Sequence, residues 1–321
     1  MVDYITNLPF FQTLAFGIIA MITVGSSWCL VGLVMGDAPK KNIDPALVQF
    51  FGAVVALIAC LIIMFCTTGI PQASFKVAFL TCGAYFTGSV LNFFMLQLMS
   101  AAMQKGPNGI IWAIIQSALI FPFIGGVVFF DVKLNLARLC GILLLLAALI
   151  FFSMAKDNSR KGGNSWKYLA FIALGITAIQ QNLHTAPSYF EEARVIPSIV
   201  RALFSTAGTL AGAVGYTLFQ LLRKPEFKEM LMTGMKNPVL WKYVAVLQFF
   251  NLLFAYTLFY PGMNVMADAG LGGMCYPMMV GSCIVSFMLT SMLLLKEKLR
   301  GVQILALILC ISGLVFLCFP E

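Results

Sequence analysis

The sequence predicts an all-α membrane protein of ten transmembrane helices, arranged as two inverted five-helix repeats. Three observations carry that prediction. Apolar stretches of about 20 residues, long enough to cross the hydrocarbon core, follow one another along the chain. The lysines and arginines fall unevenly between alternate connections, and the second half of the chain echoes the first. Composition agrees: 61% of the 321 residues are hydrophobic and 10% are charged, and the mean hydropathy is +0.95. That is more apolar surface than a soluble core of this length buries. Strand alternation is absent over such lengths, and an open sheet edge has no hydrogen-bond partners in lipid.

The ten stretches cover 12–34, 45–67, 76–98, 108–130, 134–155, 167–187, 196–222, 242–263, 271–295 and 301–319. The first is read as a span and not as a signal peptide, because no Lys or Arg precedes Lys40 and no small-residue cleavage pattern follows the apolar run. The longest polar breaks are AKDNSRKGGNSWK at 155–167 and RKPEFKEMLMTGMKNPVLWK at 223–242; the second contains a short amphipathic segment suited to the membrane interface. With ten helices the connections alternate sides, and fifteen of the twenty Lys and Arg collect on one side: Lys40, Lys41, Lys105, Lys156, Arg160, Lys161, Lys167, Arg223, Lys224, Lys228, Lys236, Lys242, Lys296, Lys298 and Arg300. Lys76, Lys133, Arg138, Arg194 and Arg201 occupy the other. The positive-inside rule then puts both termini on the outer face of a bacterial inner membrane.

The echo between halves has a lag of about 155 to 166 residues. LAF at 14–16 recurs at 169–171, and Lys76 before the third span matches Lys242 before the eighth. NGIIWAIIQSALIFPF, Asp131 and RLCGILLLLAALIFF parallel GGMCYPMMVGSCIVSF, Glu297 and QILALILCISGLVF. The repeats are therefore 1–155 and 167–321, joined by a cytoplasmic linker at 156–166. Five spans per half is an odd number, so the second half enters the membrane upside down. Inverted repeats meeting at a midplane site are a transporter architecture.

Polar residues inside the spans define the candidate site. Thr177, Gln180, Gln181 and His184 share an arc of about 100° on one helix face, and His184 is the only histidine in the chain. A polar stripe inside the membrane faces a bundle interior or a wet cavity. Tyr85, Ser89 and Asn92 form a second stripe, Asn108, Trp112 and Gln116 a third, and Gln248 and Asn251 with Tyr256 a fourth. The bland reading is amide glue between helices. The functional reading is a binding site made of Tyr85, Asn92, Trp112, Gln116, Gln180, Gln181, His184, Gln248, Asn251, Tyr256 and Tyr276: amides bond hydroxyls and flat rings cover an apolar face, which suits a neutral polar solute. No Lys, Arg, Asp or Glu is expected near a span centre, which disfavours phosphorylated and strongly charged substrates. If a proton is coupled, His184 is the group that titrates near neutrality, with Asp268 in reserve; the alternative for His184 is a structural hydrogen bond. Arg194, Glu191 and Glu192 read as a solvated turn, and Arg201 as a side chain that snorkels outward or joins a gate ion pair. Ala207, Gly208, Ala211, Gly212 and Gly215 give small-xxx-small spacing for close packing within the monomer first and for a homodimer second. Gly106, Pro107, Pro122, Pro187, Pro261, Gly262 and Pro277 are expected kinks near the pathway.

Several classes are excluded. The net charge of +8 sits in short connections, which points to topology and away from nucleic acid. Nine cysteines without a CxxC pair predict buried apolar residues with no disulfide framework and no metal site. GxSxG, HExxH and a Walker loop are all missing, so neither an enzyme nor a bound cofactor is expected.

Ten spans in two halves, an acidic residue at the turn before the last helix of each half (Asp131, Glu297) and Gly313 late in the final span resemble the drug/metabolite transporter superfamily. APKKN at 38–42, NLHTAP at 182–187 and KEK at 296–298 are more similar to its L-rhamnose/proton symporter and glucose/ribose porter branches than to its multidrug members. The resemblance implies a secondary transporter that takes up a sugar with a proton. A metabolite or amino-acid exporter of the same fold is the alternative, and a non-transporting membrane subunit comes third.

Overall fold

A computed structural model of the chain describes residues 12–67, 73–106, 108–132, 134–154, 165–224, 226–294 and 301–317. Among the described residues there is no strand, and the chain is a succession of helices. These are α1 (Leu14–Ser27), α2 (Cys29–Asp37), α3 (Pro45–Thr67), α4 (Phe75–Met103), α5 (Asn108–Gln116), α6 (Ile120–Phe129), α7 (Leu136–Met154), α8 (Ser165–Thr185), α9 (Ser198–Arg223), α10 (Phe227–Lys236), α11 (Pro238–Phe254), α12 (Tyr260–Asp268), α13 (Cys275–Leu294) and α14 (Gly301–Leu317). Among the described residues five rods are long and apolar enough to cross a membrane: Leu14–Lys41, Pro45–Cys66, Phe75–Met103, Ser198–Arg223 and Pro238–Asp268. Shorter apolar helices run over Ile114–Phe129, Leu136–Phe151 and Gly301–Leu317. Leu, Ile and Phe side chains face outward along these rods, as at Phe65, Phe79, Ile150, Leu218 and Phe249, so the surface is apolar as lipid requires. The architecture is that of an all-helical membrane protein.

Helix ends follow their local chemistry. Thr13 caps α1 by accepting from the Phe16 N–H, and Ser74 caps α4 through Val77. Asp44 starts α3 by accepting from the Ala46 N–H at 2.8 Å. Asn135 caps α7, accepting from the Arg138 N–H at 2.8 Å; Asp131 sits four residues earlier with a φ of 49°, part of the turn. Glu297, the KEK turn and 156–164 of the linker lie outside the described residues. Pro187 behaves as expected, because α8 ends at Thr185 and a 3-10 turn, Ala186–Tyr189, follows.

Among the described residues three rods are interrupted. A 3-10-type bond from the Trp28 N–H to the Gly25 carbonyl separates α1 from α2, Ser117–Leu119 is a 3-10 turn between α5 and α6, and Ala255–Phe259 is a π-turn between α11 and α12. Pro261, just beyond the last of these, has no N–H to continue an α-helical ladder.

The helices pack in defined pairs. α7 lies against α14, α4 against α8 and α9, and α3 against α9 and α11. α1 lies against α12 and α13, α5 and α6 against α8, α5 against α7, and α13 against α14. Glycines set the closest crossings. Gly141 of α7 and Gly313 of α14 face each other so closely that a methyl on either would lie 2.9 Å from the other's carbonyl oxygen. Gly208 of α9 touches the Phe86 carbonyl of α4, so at this glycine the small-residue stripe serves packing within the monomer.

Two large clusters hold most of the apolar interior, with a small third one around Ala46, Phe93 and Ala213. One cluster, including Ala38, Leu47, Met99, Ala102, Ala170 and Leu240, lies toward the end that carries Lys40, Lys41, Lys167 and α10. The other, including Val132, Ile142, Ile196, Leu271, Met274 and Leu317, lies toward the opposite end. There the Arg194 guanidinium pairs with Asp268 and donates to the Ser188 carbonyl, so the 190s turn is not simply solvated. Arg201 does not snorkel. It is fully buried and donates to the carbonyls of Ile196 and Ala193 and to Asn264 Oδ1, each at 3.0 Å. These acceptors supply what water would have supplied, which is why a charged group so near the helix start can turn inward.

Candidate functional site

A cavity of about 290 Å3 opens between the two apolar clusters. Its wall draws on α1, α2, α3, α4, α5, α8, α9, α11, α12 and α13. None of the lining residues is Lys, Arg, Asp or Glu, and His184 is the one imidazole. The volume is at the small end of the range usual for small-molecule sites, roughly 300–1,000 Å3.

Nine predicted residues line it: Asn92, Trp112, Gln116, Gln180, Gln181, His184, Gln248, Asn251 and Tyr276. Three unbroken helices, α4, α8 and α13, and two broken rods, α5–α6 and α11–α12, therefore turn polar side chains toward one space. Tyr85 stands behind the wall and not in it. It is fully buried, its ring centroid 5.6 Å from that of His184 and 5.0 Å from that of Tyr260, and it supports the imidazole from the back. The side chains of Asn108 and Tyr256 lie outside the described residues. Asp268 does not line this wall; it is exposed and paired with Arg194.

The α8 face carries a chain of side-chain hydrogen bonds. Gln180 Nε2 donates to His184 Nδ1 at 3.1 Å, four residues on along the helix. That bond makes Nδ1 an acceptor and leaves the ring proton on Nε2, which faces Ser89 Oγ at 3.4 Å. Both imidazole nitrogens thus meet neutral partners. Gly88 lets the ring approach α4, since a methyl there would lie 2.5 Å from His184 Cδ2. Thr177 Oγ1 and Thr185 Oγ1 are spent on their own helix, on the carbonyls of Ala173 and Gln181. Trp112 rests on Gly32, where a methyl would lie 3.1 Å from the indole. Trp28 and Tyr276 place ring centroids 6.0 Å apart on another part of the wall.

The structure adds residues that the stripes did not reveal. Trp28, Gln49, Ser205, Thr206, Thr209 and Tyr260 also line the cavity. Ser205, Thr206 and Thr209 do lie on one face of α9, but their polarity is hidden beneath the small-residue stripe, and two of the hydroxyls bond back to the Ala202 and Ser205 carbonyls. Tyr260 exchanges a 2.7 Å hydrogen bond with Ser205 and ties the two walls together. Gln49 is a lone amide five residues into an apolar helix, with no periodic partner in the sequence to mark it. Asn251 is exposed and stands at the mouth.

Chemically, the wall can hydrogen-bond hydroxyls and cover an apolar ring face, and it offers no counter-charge for an ion. Among the described residues no group of His, Cys, Asp and Glu is arranged to hold a metal, and the eight described cysteines are free thiols. No family model matches this chain, and no curated protein does. Among solved structures, one described only as "Crystal structure of protein" is similar in fold, with a TM-score of 0.63 over 92% of this chain and 95% of that one, at 14% identity.

Proposed function

We propose that this chain is a secondary transporter of a small neutral polar solute, a sugar first, working by alternating access in a bacterial inner membrane and coupled to a proton. The observation that carries the reading is the uncharged, amide-rich cavity between two apolar clusters. Such a cavity has no structural use in a bundle that could fill it with leucine, and leaving it polar costs stability unless a polar solute enters it.

The packing pattern supports ten spans in two related halves. Taking α1–α2, α5–α6 and α11–α12 as single broken spans gives ten in order, and a shift of five spans converts each major contact into another that is present. The contact of α4 with α8 becomes that of α12 with α1; α4 with α9 becomes α11 with α3; α8 with α5 becomes α1 with α13; and α5 with α7 becomes α13 with α14. The pairs α3–α9 and α7–α14 map onto themselves, as contacts on a twofold axis do. Five spans per half makes that axis lie in the membrane plane, the arrangement in which rocking one half against the other exposes a central site to each side in turn. This reading keeps the proposed repeats at 1–155 and 167–321 and places both termini on the outer face. It also agrees with the likeness to the drug/metabolite transporter superfamily.

Proton coupling falls to His184. A second proton would arrive at Nδ1, and the Gln180 amide would have to turn its Oε1 toward the ring in place of Nε2. Because Gln180 also lines the cavity, protonation would change which hydrogen bonds the wall offers a solute. The test is uptake into proteoliposomes of purified protein, with radiolabelled neutral aldoses and polyols, with and without an inward proton gradient. Accumulation above equilibrium that collapses with a protonophore is the expected result. Absence of uptake of every member under both conditions would defeat the proposal.

A further inference from the structure

The cavity wall contains polar atoms with no partner, and their kinds restrict the ligand. Gln49 of α3 is 7% exposed and lines the cavity, yet both its Nε2 and its Oε1 lack a hydrogen-bond partner. Gln181 of α8 is 3% exposed, lines the same cavity, and its Oε1 lacks a donor. α3 packs on α9 and α11, whereas α8 packs on α4, α5 and α6, so the two amides come from different walls. Buried amides are almost always paired in folded proteins, and an unpaired one is destabilising. Two residues with unpaired amide atoms in the wall of one cavity of about 290 Å3 are groups whose partners can arrive with a ligand or, in its absence, with water once the side chains turn toward that space.

On these two side chains the unmet buried groups are two acceptors and one amide donor group. A carboxylate or phosphate brings acceptors only and would leave both Oε1 atoms facing negative charge. A metal cation or a simple ammonium brings no acceptor for Gln49 Nε2. A zwitterion brings both kinds of group, but it must lose its hydration in a wall that has no Lys, Arg, Asp or Glu to replace it. Hydroxyls both donate and accept, and adjacent hydroxyls fit a single primary amide: one donates to Oε1 while its neighbour accepts from Nε2. Trp28, Trp112 and Tyr276 supply flat apolar surface for the C–H face of such a molecule.

We propose that Gln49 and Gln181 are the specificity residues of the cavity, Gln49 gripping two adjacent hydroxyls of a neutral sugar or polyol and Gln181 accepting from a third. The proposal rests on the transport reading and sharpens it to polyhydroxylated solutes with vicinal hydroxyls. Nothing in the sequence marks Gln49 for this role; only its place in the wall does.

The experiment measures ligand-induced thermal shifts and equilibrium binding on the purified full chain, with a panel of neutral aldoses, their monodeoxy analogues and acyclic polyols. The proteins are wild type, Gln49→Leu, Gln181→Leu and, as a control amide outside the cavity, Gln97→Leu. The expected result is that at least one panel member binds wild type. Gln49→Leu and Gln181→Leu each weaken it about tenfold or more, and Gln97→Leu leaves it within threefold. For one monodeoxy analogue, wild type binds as weakly as Gln49→Leu binds the parent sugar. Leucine is close in volume and removes an unpaired amide, so the ligand-free melting temperature of Gln49→Leu should not fall, which separates lost recognition from lost folding. Tight binding that survives Gln49→Leu and Gln181→Leu overturns this proposal and leaves the transport reading standing. Failure of every panel member to bind or be transported by wild type overturns both.

Discussion

Gly208 and Gly215 lie seven residues apart on α9, in the same stripe of small residues, and alanine at the two positions should have opposite effects. A methyl at 208 would sit 2.1 Å from the Phe86 carbonyl oxygen of α4, where ordinary contact begins at 3.4 Å, so the backbones would have to part by about 1.3 Å. Both partners are helix backbone and neither can rotate away. The cost therefore falls at the upper end of the usual overpacking range, about 3 kcal/mol, because even a 1 Å gap forfeits a quarter to a half of the dispersion energy of the side chains along the seam. A methyl at 215 meets nothing within 4 Å. There the gain in helix propensity of alanine over glycine, about 0.5–1 kcal/mol, is unopposed. Purified Gly208→Ala should melt several degrees below wild type, and Gly215→Ala at or above it. The first should also bind solute more weakly, since Asn92 on α4 and Ser205, Thr206 and Thr209 on α9 flank the seam and line the cavity. Equal melting temperatures for the two variants would mean that the stripe does not pack against α4 as described. A loss of dimer with Gly215→Ala alone would move its function to a lipid-facing interface.

His184→Ala should abolish gradient-driven accumulation while solute exchange across the bilayer persists; equal loss of both in proteoliposomes would remove the coupling role. Gly88→Ala, whose methyl would lie 2.5 Å from His184 Cδ2, should produce a milder form of the same defect by pushing the ring off Ser89, whereas Gly83→Ala, with nothing within 4 Å, should match wild type in the same assay. Asp268→Asn should lower stability by less than about 1 kcal/mol, because the carboxylate in the ion pair with Arg194 is 61% exposed, and proton-coupled accumulation should not change; a coupling defect would put Asp268 back on the proton path. Reporter fusions to the two termini should both register the outer face, and cytoplasmic signals from both would break the span assignment.

The helices were legible in the sequence because each stretch satisfies one physical demand, about 20 residues with at most one charge, at or near an end, and most observed ends lie within a few residues of the expected ones. Leu136–Met154 against 134–155 and Ser198–Arg223 against 196–222 are representative. The interruptions were less legible. Pro261 announces the π-turn at Ala255–Phe259, but the break at Trp28 has neither proline nor an adjacent glycine pair to signal it and depends on what packs against that turn. At the site, stripes repeated along one helix were readable as such: Gln180, Gln181 and His184 share a face in any α-helix. Gln49 was not, because a single amide in an apolar helix is equally consistent with interhelical glue, and only the positions of the other helices decide what it faces. Arg201 shows the converse. Its place near a helix start favoured exposure, and the acceptors that hold it inside, the Ala193 and Ile196 carbonyls and Asn264, are backbone and long-range groups that no local pattern reveals.

The interruptions identify the same place as the polar side chains, by an independent route. Backbone that leaves the α-helical ladder exposes N–H and C=O groups, and in hydrocarbon these are tolerated only where protein buries them or a wet cavity meets them. Each of the three broken rods contributes residues at or beside its break to the cavity wall: Trp28 for α1–α2, Gln116 for α5–α6, and Phe254 and Phe259 for α11–α12. A bundle selected for stability alone would have no reason to place all three interruptions found among the described residues around one polar space, whereas a bundle that must flex about that space needs hinges there. Proline-free straightening of one of them separates the alternatives. Pro261→Ala restores an N–H where the π-turn now ends, and it should stabilise the rod while slowing turnover in proteoliposomes. A variant that gained stability and kept its full transport rate would show that the break at Ala255–Phe259 is only a packing accommodation and would leave the cavity without its hinge.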